Sequence, residues 1–62
     1  MMNKEALNDV AESIDESIEA MKYALGRIKD CGLDNPEQRM IEEHLRKGIR
    51  LLDMAYDFVD FY

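Results

Sequence analysis

An all-α fold is what the sequence predicts: an antiparallel helical hairpin, pairing as a homodimeric antiparallel four-helix bundle. Three observations predict it. Hydrophobic residues recur at alternating steps of four and three on both sides of a short break. The break, Gly32-Leu33-Asp34-Asn35-Pro36, carries a helix stop followed at once by a helix start. The apolar face of the second helical stretch is also wider than one neighbouring helix can cover. With 62 residues there is room for one small domain. A composition of 47% hydrophobic and 35% charged residues is too apolar for a disordered chain.

The first helix is expected over about residues 3–31. Asn3 is a suitable N-cap, and Glu5 places an acid in the first turn, where the helix dipole favours it. Leu7, Ile14, Met21 and Ile28 recur at intervals of seven, and Ala11, Ile18 and Leu25 do the same four residues later. Val10, Ser17 and Ala24 form a third row. Three rows make a face broader than a minimal coiled-coil seam. Glu5, Asp9, Glu12, Glu16 and Glu19 lie opposite, as a solvated face.

A turn is expected at residues 32–35. Gly32 suits the left-handed position that ends a helix, with Leu33 folding back onto Ile28. Asn35 is expected as the cap of the next helix, Pro36 as its first residue, and Gln38 as the partner completing a capping box. So short a link makes the two helices antiparallel neighbours.

The second helix is expected over about residues 36–61. Its seam reads Ile41, Leu45, Gly48, Leu52, Ala55, Val59 and Tyr62. Beside it run His44, Leu51 and Phe58, with Met54 and Phe61 filling the gap and Ile49 and Tyr56 on the other flank. Gly26 and Gly48 fall inside helices, where glycine costs about 1 kcal/mol against alanine. At Gly48, on the seam, the missing side chain admits a close helix approach; Gly26 has no packing reason in the sequence. From the width of this face, Leu45, Gly48, Leu51, Leu52, Met54, Ala55, Phe58, Val59 and Phe61 are the expected dimer-interface or docking residues.

Charge sets the expected orientation of the pair. The end that holds both termini carries a net −8, from residues 1–20 and 51–62, and residues 21–50 carry +2. Antiparallel subunits place each acidic end beside the other's Arg27, Lys29, Arg39, Arg46, Lys47 and Arg50, whereas parallel subunits bring two acidic ends together. Individual exposed pairs contribute only about 0–1 kcal/mol, so this term selects orientation rather than supplying stability.

The chain offers little chemistry. His44 is the only histidine; the residues three and four further on are Lys47 and Gly48, so no ligand pair forms and it reads as a surface or seam-edge residue. Cys31 has no second cysteine and reads as a structural thiol in a reducing setting. No Gly-rich phosphate loop, nucleophile triad or paired carboxylate at a cleft is present, so neither enzymatic activity nor a cofactor or metal is expected. The net charge of −6 disfavours a phosphate-backbone binder. No segment approaches 18 consecutive apolar residues and the first ten lack an apolar signal core, so a cytoplasmic location without membrane contact is expected.

The layout resembles the Rop family of plasmid copy-number RNA-binding proteins. The resemblance covers nearly the whole chain as architecture: the opening Lys4-Glu5-Ala6-Leu7-Asn8, the Asp-containing turn Gly32-Leu33-Asp34-Asn35, and heptads on both sides. It implies a hairpin that dimerises into an antiparallel four-helix bundle. Binding of RNA in that family uses polar, basic and aromatic residues on the outer face of the first helix. Here that face carries Asp9, Glu12, Glu16 and Glu19, so the fold carries over and the binding residues do not. Size and acidity also resemble the small accessory proteins of temperate phages.

The expected function is a protein-interaction or regulatory module, a helical dimer that binds and modulates another bacterial or host protein. The alternative is a nucleic-acid-linked role, either Rop-like RNA contact or DNA mimicry by an acidic surface of Glu12, Asp15, Glu16 and Glu19.

Overall fold

The computed structural model describes residues 2–62 and is an all-α, antiparallel helical hairpin. The first helix, α1, spans Lys4–Arg27. Asn3 caps it as expected: its Oδ1 accepts a hydrogen bond from the Ala6 backbone N–H at 3.0 Å, satisfying one of the otherwise unpaired donors of the first turn. At its far end the helix tightens into a 3-10 turn over Ile28–Cys31 before Gly32 breaks it at φ 72, a left-handed conformation that a side chain would strain. The chain thus stays helical to Cys31, but regular α geometry ends at Arg27, three residues short of the expected Asp30.

The second helix, α2, spans Asn35–Phe61. The expected capping arrangement is shifted by one residue. Asp34, in extended conformation, occupies the cap position, with its carbonyl accepting from the Gln38 N–H at 2.9 Å. Asn35 is already the first helical residue and Pro36 the second, so Asn35 does not cap. No side-chain cap bond forms, and instead of closing a capping box the Gln38 amide turns forward and donates to Glu42 Oε1 at 3.4 Å. Proline is tolerated in the first turn of a helix, where its missing N–H costs nothing, and it disfavours helical backbone at the preceding residue without excluding it.

The two helices bury little between them. Among the described residues only Ile18 and Ile28 fall below a tenth exposed, at 5% and 7%, with Leu7, Ala11, Ile14, Met21, Ala24 and Leu25 half-buried beside them. From α2, Leu45, Gly48, Ile49, Leu52, Ala55, Tyr56 and Val59 are half-buried opposite. Gly48 owes its place to this packing: a Cβ there would meet Met21 Sδ at 3.0 Å, so the close approach read from the seam is made by α1 itself. Gly26 faces open space.

The result is a rod of 49 × 15 × 12 Å. Its radius of gyration, 14.7 Å, exceeds the about 11 Å of a compact domain of this length. No helix among the described residues is long and apolar enough to cross a membrane.

Candidate interaction surface

Helical geometry sorts the side chains of the hairpin onto two broad faces. On one, Lys4, Leu7, Asn8 and Ala11 of α1 border a groove with Tyr56, Val59 and Asp60 of α2. On the other, Asp9, Val10, Ser13, Ile14 and Ser17 border a groove with Leu52. Rotating α2 away from Tyr56 at 100° per residue brings Leu51, His44 and Phe58 onto this second face. It brings Val10, Ser13 and Ser17 of α1 beside Leu51 and Phe58 of α2, and it is open.

The exposed apolar residues of α2 are Met40, Ile41, Leu51, Met54, Phe58 and Phe61, followed by Tyr62 just beyond the helix, with Leu51 at 55%, Phe58 at 72% and Phe61 at 86%. Val10 of α1 joins them. At the end of α2, Met54, Asp57, Phe58, Phe61 and Tyr62 enclose a shallow hollow. Phe61 and Tyr62 meet edge to face there, ring centroids 5.9 Å apart and planes at 88°. Met40, Ile41, His44 and Leu45 line a second apolar hollow nearer the turn.

The nine residues expected from sequence as interface or docking positions divide into two sets. Leu45, Gly48, Leu52, Ala55 and Val59 are turned toward α1 and spent on the hairpin's own seam. Leu51, Met54, Phe58 and Phe61 are left in the open. Met40 and Tyr23, both strongly exposed, were not singled out from the sequence. Met40 had a readable signal, since it lies four residues before His44 and eleven before Leu51 on the same helical row.

The polar candidates are all at the surface. Glu12, Asp15, Glu16 and Glu19 are exposed on the side of α1 away from α2, and only Glu19 among them has a cationic neighbour, Lys22 at 3.9 Å. Near the turn Arg27 pairs with Asp30 at 3.4 Å. Among the described residues Arg39, Arg46, Lys47 and Arg50 have no acidic partner within 4.0 Å; Arg39 lies near the turn and the other three near the middle of α2. His44 Nδ1 lies 2.7 Å from the Met40 carbonyl, the geometry of a donated N–H, with Glu43, Lys47 and Arg50 around it. Cys31 is exposed, its thiol 3.8 Å from the Arg27 carbonyl. No group of three His, Cys, Asp or Glu side chains among the described residues is gathered closely enough to hold a metal ion.

The fold and this surface define a helical hairpin with one apolar face left without a partner. Comparison with protein-family models, with curated proteins and with solved structures returns no match for the chain. Its function is therefore argued from the surface itself.

Proposed function

We propose that this chain is a non-enzymatic interaction module: a helical homodimer, Rop-like in architecture, that binds and modulates another protein. One observation carries the reading. The chain leaves 5276 Å² of its surface accessible, where a compact monomer of 7.3 kDa leaves about 4,200 Å². The excess, about 1,100 Å², is more than the roughly 800 Å² that each partner contributes to a standard protein interface. Exposed apolar side chains contribute to it, with Leu51 at 55% and Phe58 at 72% on the open face and Met54 and Phe61 beside them. A hairpin of this kind gains most of its remaining stability by association.

A second copy on the Leu51 face leaves Met54 and Phe61 uncovered on the outer side of α2, next to Asp53 and Asp57. Methionine and aromatic residues are frequent interface anchors, and this end is where the regulated protein is expected to dock. A role as a small accessory protein, of the kind temperate phages encode, fits the length and the net charge of −6.

The acidic outer side of α1 supports a second reading, mimicry of a nucleic-acid backbone toward a basic protein. It disfavours direct RNA contact, because Glu12, Asp15, Glu16 and Glu19 repel phosphate. The two protein-binding readings separate in one experiment. Bait carrying Met54→Ser and Phe61→Ser is compared, for capture of proteins from the native host, with bait carrying Asp15→Asn, Glu16→Gln and Glu19→Gln. Loss of a specific captured protein with the first bait alone supports docking at the aromatic end. Loss with the second alone supports mimicry. An RNA mobility shift at low salt that weakens steeply as salt is added would contradict both.

A further inference from the structure

The exposed row of α2 has a symmetry of its own. Met40, His44, Leu51, Phe58 and Tyr62 follow one another at steps of four, seven, seven and four, a pattern that reads the same in either direction about Leu51. The row on α1 that shares this face, Val10, Ser17 and Ala24, is likewise symmetric about Ser17. The two centres stand at one height on the rod. Gly48 lies against Met21, and Leu52 shares its groove with Ile14 and Ser17, which sets Leu51 level with Ser17.

We propose that the open face is occupied by a second copy of this chain, seated antiparallel about a twofold axis that passes Leu51 of α2 and Ser17 of α1. The inference rests on the dimer reading above and adds which residues meet. A twofold contact requires that where residue i touches j, j also touches i. An antiparallel crossing about Leu51 satisfies this throughout the row: Leu51 meets its own copy, His44 meets Phe58, and Met40 meets the end of the helix at Tyr62. Large residues of α2 then stack on large, and small residues of α1 on small.

Two polar groups on the contact line already have partners within the chain. Ser17 Oγ donates to the Ser13 carbonyl at 2.8 Å, so that hydroxyl enters an interface without losing a hydrogen bond. His44 has the Met40 carbonyl at 2.7 Å from Nδ1. Electrostatics favour the same orientation. Antiparallel pairing keeps the two terminus-bearing ends, each with net charge −8, at opposite ends of the pair, whereas parallel pairing would bring them together. Leu51 lies three residues beyond the midpoint of α2, so the two rods are staggered by only about 9 Å and overlap along most of their length.

Cys31 reports the orientation. It is exposed at the turn end of the rod. In the antiparallel pair the two Cys31 thiols stand roughly 40 Å apart, whereas in a parallel pair they share one end. A disulfide needs Cα atoms within about 7 Å. The test is disulfide formation under oxidised glutathione, read on a non-reducing gel, with the mass of each reduced protein measured by light scattering. The expected result is that the native chain stays uncross-linked, while C31S/L51C converts almost wholly to a covalent dimer. C31S/H44C and C31S/F58C are each expected to cross-link poorly alone and to form a mixed dimer when exchanged together. Preferential cross-linking of the native chain through Cys31 would overturn the antiparallel arrangement. A two-chain mass without cross-linking either at Leu51→Cys or in the exchanged pair would overturn the register. A one-chain mass for the native protein at every concentration would instead remove the dimer reading on which the inference rests.

Discussion

Replacing Leu51 by glutamate separates a hairpin that stands alone from one that pairs through this face. Leu51 is 55% exposed, so in an isolated hairpin the substitution touches little and belongs with surface changes, within about 0.5 kcal/mol. In the proposed dimer it removes the burial of that exposed half. Full burial of a leucine side chain contributes about 1.5–3 kcal/mol, so the share still available here is roughly 1–1.5 kcal/mol per copy. Two copies meet on the axis, giving about 2–3 kcal/mol of lost association. The two carboxylates brought face to face add to the loss. At 1.4 kcal/mol per decade, the dissociation constant rises by roughly 30- to 150-fold before that repulsion is counted. Sedimentation equilibrium gives the constant, and the helical signal in circular dichroism, followed at the same concentrations, gives the coupling to folding. An unchanged dissociation constant with unchanged helicity would refute the placement of Leu51 in the contact.

Other substitutions probe the hairpin. Asn3→Ala removes the hydrogen bond to the Ala6 N–H and is expected to lower stability by about 1 kcal/mol in urea unfolding at fixed protein concentration. Gly26→Ala is expected to stabilise by up to about 1 kcal/mol, since its Cβ would meet nothing within 4 Å; Gly48→Ala must displace the Met21 sulfur at 3.0 Å and should gain less or lose, a difference visible in thermal melts. Ile18→Ala empties the most buried position on the seam and should cost about 2–5 kcal/mol, enough to abolish cooperative melting at low concentration.

The helices were legible because each local signal pointed the same way as the tertiary structure. Asn3 caps, Gly32 turns left-handed, and the heptad rows of α1 and α2 face one another. The cap of α2 was not. Asn35 and Asp34 are both good capping residues before Pro36, and proline is accepted at either of the first helical positions, so the choice between registers fell to backbone geometry at the turn. The apolar face of α2 could be read as wide, but its division could not. Leu45, Leu52 and Val59 are as hydrophobic as Leu51 and Phe58, and only the rotation of α2 against α1 decides which set is covered. That same rotation exposes the symmetry about Leu51, which becomes visible once the seam residues are set aside.

The central claim is that the open face belongs to a subunit contact. Light scattering across a tenfold dilution, with helical content followed alongside, tests it most directly. The account predicts a mass of two chains that falls toward one on dilution, with helix lost as the chains separate. A fully helical species of one chain at every concentration would contradict it.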